Sequence, residues 1–223
     1  MNDQEVPSKY PVILAIEGLH RSGKTTNLAL LSARLRKEYE IEVRVLRGHG
    51  SRPGNDSKGF YDPPNEYWKQ WHSQPKEFPA WEEAYEQLNK ENLSIINQLA
   101  QQNTPSVVLM DRCYLSRAYL LAKNGLPADV SSSRLSAPIR PEHIFVLHAS
   151  KETLINRTYN DTSSKASFRR TNIKEGYPAW STIVSQASKY SEMHIVDAQQ
   201  TIPEVHEQIW GVVKQYYENR LQK

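Results

Sequence analysis

The chain has 223 residues, of which 38% are hydrophobic, and its formal net charge is +3. These values fit one large domain and do not favour nucleic acid as a partner, and no apolar run is long enough for a membrane span. The polar, acidic residues 1–7 do not form a secretory signal, and the single cysteine, Cys113, excludes an intramolecular disulfide and fits a reducing cytoplasm.

The hydrophobic pattern predicts an alternation of strands and helices. We expect strands over residues 11–17, 41–47, 106–110, 143–149 and 193–197, and helices over 24–38, 79–102, 114–123, 150–158, 175–190 and 202–220. Residues 48–64 are predicted to form a loop, residues around Tyr67 and Trp68 a short helix, and residues 124–141 an irregular segment. Such an alternation forms a parallel sheet with helices on both faces, and ligands bind beyond the carboxyl ends of its strands.

The first predicted strand leads directly into the pattern Gly-x-x-x-x-Gly-Lys-Thr at residues 18–25. Gly18 and Gly23 leave room for the backbone to wrap around phosphate oxygens, and the following helix presents its N–H groups to the same anion. Lys24 would bridge the β- and γ-phosphates of a nucleotide, and the Thr25 hydroxyl would coordinate Mg²⁺. The motif in this context predicts a phosphate-binding loop, with a chance glycine-rich turn as the alternative. The candidate nucleotide-binding residues are Gly18, Leu19, His20, Arg21, Ser22, Gly23, Lys24, Thr25 and Thr26.

Three charged residues end the next two predicted strands at the same edge of the sheet. Arg47 ends the second strand, and Asp111 and Arg112 follow the third. Asp111 can hold magnesium or accept a proton from an attacking oxygen, or it can simply cap the next helix. Arg47 and Arg112 can each bind a phosphate bidentately or form a surface ion pair. Two arginines opposite a phosphate loop indicate a second phosphate subsite.

Three segments resemble the thymidylate kinase family of nucleoside monophosphate kinases. Residues 16–26 (Ile-Glu-Gly-Leu-His-Arg-Ser-Gly-Lys-Thr-Thr) are similar to its Phe-Glu-Gly-x-Asp-x-x-Gly-Lys-[Ser/Thr]-Thr, residues 111–113 to its Asp-Arg-Tyr/Phe, and residues 194–209 to its closing segment. The resemblance implies a three-layer α/β P-loop kinase fold, with a five-stranded parallel sheet, helices on both faces and a small lid, in one domain over residues 1–223. It also implies a homodimer through the long helices.

The family also implies an activity and a set of roles. ATP, with Mg²⁺ held by Thr25 and Asp111, would give its γ-phosphate to a (deoxy)nucleoside monophosphate or similar phosphorylated small molecule, with dTMP the leading single candidate. Arg47 and Arg112 would hold the acceptor phosphate, and Lys24, Arg21 and Asp111 would form the catalytic set, with Arg21 neutralising charge on the transferring phosphoryl group. The donor adenine would lie along Arg157 and be enclosed by Ala198 and Gln199.

The acceptor side departs from the family pattern. His20 replaces an aspartate that contacts the acceptor sugar, and it can either bind a hydroxyl or only fill the loop. The arginine that recognises thymine has no counterpart, and Tyr85 stands in that neighbourhood instead, so phosphate handling is expected to be retained and the base site rebuilt. Aromatic residues available to stack on a planar acceptor, or to pack in the core, are Tyr61, Trp68, Trp71 and Tyr85.

The basic segment 165–174 has the polarity of a lid, which we place at about residues 158–174. A closing lid would exclude water and bring positive charge to the transfer site, whereas the alternative is a solvated basic loop. Three other functions stay open. The protein could be a kinase of a nucleoside or other hydroxyl, with Asp111 as base; a non-catalytic nucleotide-binding relative; or an NTPase that drives a conformational switch.

Overall fold

The computed structural model of the chain describes residues 11–48, 78–102, 104–163 and 165–221. The strands are β1 (Val12–Gly18), β2 (Glu42–Arg47), β3 (Ser106–Asp111), β4 (His143–His148) and β5 (Met193–Asp197). Within the described residues the helices are α1 (Lys24–Tyr39), α2 (Phe78–Gln102), α3 (Tyr114–Lys123), α4 (Val130–Ser136), α5 (Lys151–Tyr159), α6 (Ala166–Ala187) and α7 (Ile202–Leu221). The predicted loop beyond Gly48, the short helix around Tyr67 and the residues Tyr61, Trp68 and Trp71 lie outside the described ranges.

The five strands form one sheet in the order β2-β3-β1-β4-β5, and every neighbouring pair is parallel. The α/β class and the five-stranded parallel sheet are therefore confirmed. The register aligns the carboxyl ends: Arg47 is opposite Asp111, Gly18 is opposite Leu147, and His148 is opposite Asp197. Residues that the sequence places at one edge do meet there.

The sheet is covered on both faces. All six residues of β3 are buried, which is why this strand is an unbroken apolar run up to Asp111 rather than an alternating one. The helices form two packed groups, α1 with α7, and α3 with α4, α5 and α6. Leu28, Leu31 and Leu35 of α1 are fully buried, and each such side chain stabilises the fold by about 1.5–3 kcal/mol.

Two predicted boundaries are wrong for a common reason. The segment expected to be irregular contains α4, whose N-terminus is capped by Asp129 through the Ser132 N–H (2.7 Å). Helix α6 begins at Ala166 rather than at 175, so most of the segment predicted as a lid is helical. Both stretches are polar, and in the first nine residues of α6 only Ile173 is fully buried, so neither shows a helical hydrophobic period.

Helices α3 and α6 approach each other closely at Gly176. A Cβ atom added there would lie 1.9 Å from the Tyr119 hydroxyl oxygen, so a larger residue would require the Tyr119 side chain to move. One turn further on, Trp180 is buried and meets the edge of the Tyr119 ring at a centroid distance of 5.9 Å. The second half of α6 is thereby fixed to the core. No helix in the described ranges is long and apolar enough to cross a membrane.

Candidate functional site

The β1–α1 loop has a backbone that requires its two glycines. Gly18 has φ +153°, and a Cβ atom there would lie 2.4 Å from Ser22 Oγ and 2.8 Å from the Leu147 carbonyl oxygen. Gly23 has φ +95° and stands at the N-cap of α1 without a side-chain cap. The first N–H groups of α1 are consequently left without a capping side chain, which suits an anionic ligand.

Lys24 is a buried cation in this loop. Its side chain folds back so that Nζ donates to the Leu19 carbonyl at 2.9 Å, and the residue is only 8% exposed. Burial and the neighbouring Arg112 lower the pKa of Lys24 to about 7, against an opposing pull from Asp111 and Glu17. An anion bound in the loop would restore the charged form.

Glu17 joins β1 to α3, a role that no sequence motif indicated. Its fully buried carboxylate accepts from the Cys113 N–H (2.7 Å) and the Ser116 N–H (3.0 Å), and thus caps α3 from a neighbouring strand. Burial raises the pKa of Glu17, while Arg112, whose Nη1 lies 3.7 Å from Glu17 Oε2, opposes that shift. The available signal was a carboxylate at the end of an otherwise apolar strand.

Arg112 is held against the same loop. Its backbone has φ +79°, an unusual value for a side chain with a Cβ, and its Nη1 donates to the Gly18 carbonyl and to Ser116 Oγ, both at 3.2 Å. Asp111, the preceding residue, is buried at the same edge. The structure therefore brings the predicted pair at the end of β3 to the β1–α1 loop.

His20 lies in an electropositive environment. Burial lowers the pKa of its imidazole to about 3, and the positive charges of Arg112, Lys24, Arg169 and Lys123 add to the effect. At neutral pH the ring is uncharged, so it can donate one hydrogen bond and accept another. The surrounding cations make this a place where an anionic ligand gains electrostatic free energy.

On the other side of the loop, Arg157 of α5 connects two predicted nucleotide-binding segments. Its Nη2 donates to the Ala198 carbonyl at 2.7 Å and its Nη1 to the Arg21 carbonyl at 3.3 Å. Gln199 follows directly, and its Oε1 accepts from Thr153 Oγ1 at 3.3 Å. Residues from three segments that are far apart in the chain thus lie next to one another.

Asp161 is a second residue that sequence reasoning missed. It follows α5, its side chain is 6% exposed, and its Oδ2 forms ion pairs with both Arg21 and Arg169. The Arg21 side chain pairing with it holds the pKa of Asp161 well below its usual range. No sequence motif marks this residue, because its partners lie in two distant segments. One of them, Arg169, belongs to the part of α6 that the hydrophobic pattern does not predict to be helical.

The acceptor-side residues are only partly described. The Arg47 carbonyl accepts from Asn92 Nδ2 of α2 at 2.8 Å, which ties the end of β2 to that helix. Tyr85 is 9% exposed, and burial raises its pKa to about 12, so it is a packed residue and not an open stacking surface. Thr25 and Thr26 are exposed on the first turn of α1.

Two observations bear on whether nucleotide and metal fit. Arg21 Nε and Ser22 Oγ are buried and have no hydrogen-bond partner within the described ranges, and Gly18 forms a cradle that a side chain would fill. In the same ranges no three His, Cys, Asp or Glu residues are grouped to hold a metal. A magnesium ion bound through Thr25, Asp111 and phosphate oxygens would not require such a group, because phosphate and water oxygens complete its coordination.

Comparison with protein-family models gives no match, and comparison with curated protein sequences gives none either. The function therefore has to be argued from the site.

Proposed function

We propose that this protein is an ATP-dependent phosphotransferase, similar to thymidylate kinase, that moves the γ-phosphate of ATP to a nucleoside monophosphate or a related phosphorylated small molecule. One observation carries the proposal: arginines reach the β1–α1 loop from both sides. Arg112 bonds to the Gly18 carbonyl from the β3 side, and Arg157 bonds to the Arg21 carbonyl from the β4–β5 side. Arg112 thus offers an acceptor phosphate subsite next to the loop that takes the donor phosphates, and Arg157 borders the donor nucleotide on the opposite side.

On the donor side, the N–H groups at the start of α1 and the Lys24 ammonium bind the ATP phosphates. Magnesium, held by Thr25 and Asp111, would neutralise phosphate charge when bound. Arg157, with Ala198 and Gln199, borders the adenosine end. Together these residues would hold ATP along the loop and orient its terminal phosphate for transfer.

On the acceptor side, Arg47 and Arg112 orient the acceptor phosphate for in-line attack. A bond forms between an acceptor phosphate oxygen and Pγ, and the bond between Pγ and the β,γ-bridging oxygen breaks, which leaves ADP. The acceptor phosphate is largely ionised at neutral pH, so this reaction needs no general base. Lys24 and Arg21 stabilise the charge that develops on the transferring oxygens.

A hydroxyl kinase is the second candidate, because Asp111 is a buried carboxylate at the reacting edge, where it can take a proton from an attacking hydroxyl. His20, as a neutral hydrogen-bonding group, fits either acceptor. The two functions differ in what Arg47 does. It binds a phosphate in the first function and has no substrate contact in the second.

The test is ADP release with Mg-ATP against each nucleoside monophosphate and each matching nucleoside, with Arg47→Gln as the variant. We expect a monophosphate to be phosphorylated and Arg47→Gln to raise its KM about 10-fold or more, the cost of one charged hydrogen bond. Arg44→Gln, on the same strand and paired with Glu42 on the surface, is the matched control and should leave KM unchanged. Turnover with a nucleoside alone, unaffected by Arg47→Gln, would replace the proposal with the hydroxyl kinase.

A further inference from the structure

Asp161 carries an inference that deepens the proposed function and rests on it. We propose that Asp161 is a positioning residue, whose carboxylate holds Arg21 of the β1–α1 loop and Arg169 of α6 side by side so that both guanidinium groups act on the transferring phosphoryl group. The inference assigns a role to one arginine of the basic segment 165–174 and leaves Arg170 out of that role.

The first step is the shared oxygen. Arg21 Nη2 and Arg169 Nη1 both contact Asp161 Oδ2, so the two guanidinium groups are neighbours even though they belong to a loop and to a helix. Two adjacent guanidinium cations repel each other, and a carboxylate between them removes most of that cost. Asp161 thus lowers the repulsion energy between the two neighbouring guanidinium groups.

The second step is that Asp161 is itself held in place. Its Oδ1 accepts from the Ser163 N–H at 3.0 Å, and Ser163 Oγ accepts from Arg169 Nη1 at 3.1 Å. The side chain is nearly buried, directly after the end of α5. A carboxylate fixed in this way determines the positions of its two partners and does not follow them.

The main chain and one side-chain donor of Arg21 add further support. Its backbone is left-handed, with φ +67°, and its carbonyl is bound by Arg157, so both the main chain and the side chain of Arg21 are held from α5 and the residues just after it. Arg21 Nε is buried without a hydrogen-bond partner within the described ranges. Strain at a loop residue together with an unused donor is the arrangement expected of a group kept ready for a ligand.

The fourth step separates Arg169 from Arg170. Arg170 is engaged elsewhere: its Nε donates to Thr158 Oγ1 at 3.1 Å, and its guanidinium lies 4.1 Å above the Tyr159 ring. These contacts pack α6 against α5 and involve no residue of the β1–α1 loop. Arg170 is therefore a structural neighbour of similar charge and position, and it provides a matched control.

The experiment measures binding of Mg-ADP and of a non-hydrolysable ATP analogue, Mg-AMPPNP, by calorimetry. If Asp161 aligns both arginines on the terminal phosphoryl group, Asp161→Asn should weaken AMPPNP binding about 10-fold and leave ADP binding within about twofold, since ADP lacks the γ-phosphate. Asp161→Glu should recover part of the loss. Asp129→Asn, which removes a capping aspartate in α4, should change neither ligand.

Kinetics provide the second readout with the accepted substrate. Asp161→Asn and Arg169→Met should each lower kcat about 100-fold with little change in acceptor KM, as expected for displaced transition-state donors. Arg170→Met should stay within about threefold of wild type. Equal effects of Arg169→Met and Arg170→Met, or equal losses of ADP and AMPPNP affinity in Asp161→Asn, would overturn the positioning role.

The outcomes keep this inference distinct from the proposed function. Suppose that the wild type binds AMPPNP more tightly than ADP, that Asp161→Asn loses this preference, and that no monophosphate is phosphorylated. The role of Asp161 in γ-phosphate binding would then be retained, and the acceptor assignment would be overturned. If the wild type and Asp161→Asn phosphorylate a monophosphate equally well, the acceptor assignment is retained and the positioning role of Asp161 is overturned.

Discussion

The two ends of the parallel sheet are built in contrasting ways. At the carboxyl end the backbone is distorted, with positive φ angles at Gly18, Arg21, Gly23 and Arg112, and the side chains around it are mostly cations. Backbone strain of this kind costs about 1–3 kcal/mol per non-glycine residue and persists only where the surroundings impose it. The carboxyl end is thus arranged to meet something outside the protein.

At the amino end, one cluster of polar side chains is paired within the fold. His143 Nδ1 and His194 Nε2 are 2.8 Å apart, the Tyr216 hydroxyl donates to Glu142 Oε2, and Glu142 Oε1 accepts from the Ile13 N–H at 3.2 Å. Both ends contain buried titratable groups, so burial alone does not identify a functional site. The difference is whether the charges and donors there are already matched within the fold.

The largest effect that tests this contrast is expected at Lys24. Lys24→Met should lower kcat about 100- to 1,000-fold, because it removes a preorganised charge from the transferring phosphate. The free energy of unfolding should not fall, since a buried cation is replaced by an apolar side chain of similar length. ADP release and thermal unfolding measure the two quantities, and Lys37→Met, on the exposed last turn of α1, is the control. Strong destabilisation would show that Lys24 is structural.

Glu17 should give the next largest effect, this time on stability. Glu17→Gln replaces buried hydrogen bonds to a carboxylate with weaker ones, and we expect a loss of about 2 kcal/mol in the free energy of unfolding by urea. Glu38→Gln, which breaks only the exposed pair with Arg34, should cost about 0.5 kcal/mol or less. Equal losses in the two variants would contradict the capping role of Glu17.

Nucleotide binding should take up a proton near neutral pH. The pKa of Lys24 is about 7 in the free protein, so at pH 8 the amine is largely neutral, and a bound polyphosphate raises its pKa and recharges it. Calorimetry at pH 8 in buffers of different ionisation enthalpy should report an uptake approaching one proton per ATP. Proton release, or no exchange in the wild type, would show that Lys24 is already charged.

The smallest effect is expected at the amino end. Burial lowers the pKa of His143 and of His194, with Glu142 and Glu192 opposing the shift at His143, so both rings are neutral in the fold. Below pH 6.5 the unfolded chain binds more protons than the native one, and stability therefore falls as the pH falls. Urea unfolding at pH 7 and pH 5 should show a smaller difference in His194→Gln than in the wild type, because one of the two rings that the unfolded chain protonates is removed. If the difference between the free energies of unfolding at pH 7 and pH 5 is unchanged in the variant, the acid sensitivity does not come from this histidine pair.

The carboxyl edge was predictable because its signals are local. Gly18 and Gly23 mark the loop by spacing, and unbroken apolar runs before Gly18 and Asp111 mark buried parallel strands, whose alignment follows from topology. Arg112 could be placed near the loop by the same logic, whereas Arg157 was placed there only by the resemblance to thymidylate kinases. None of these inferences requires knowing which side chains touch.

What could not be predicted depends on contacts between distant segments. Glu17 caps a helix that begins almost a hundred residues later, and Asp161 is defined by partners on two other elements. Helix α4 has a local signal in the Asp129 cap, but its Ser-rich sequence lacks an apolar period. The early start of α6 was hidden for the same reason, and with it the position of Arg169.

The close contact at Gly176 couples the packing of α6 against α3 to the position of Arg169. Beyond this point the helix is fixed to the core through Trp180, and about 10 Å before it the same helix, which contains Pro178, carries Arg169. A methyl group added at Gly176 would require the Tyr119 hydroxyl to move, and any accompanying shift of the helix would displace that arginine, although the substitution lies far from the phosphate loop. The tolerance of the reaction to changes in this remote contact would be set by the stiffness of one helix and not by the chemistry of the loop.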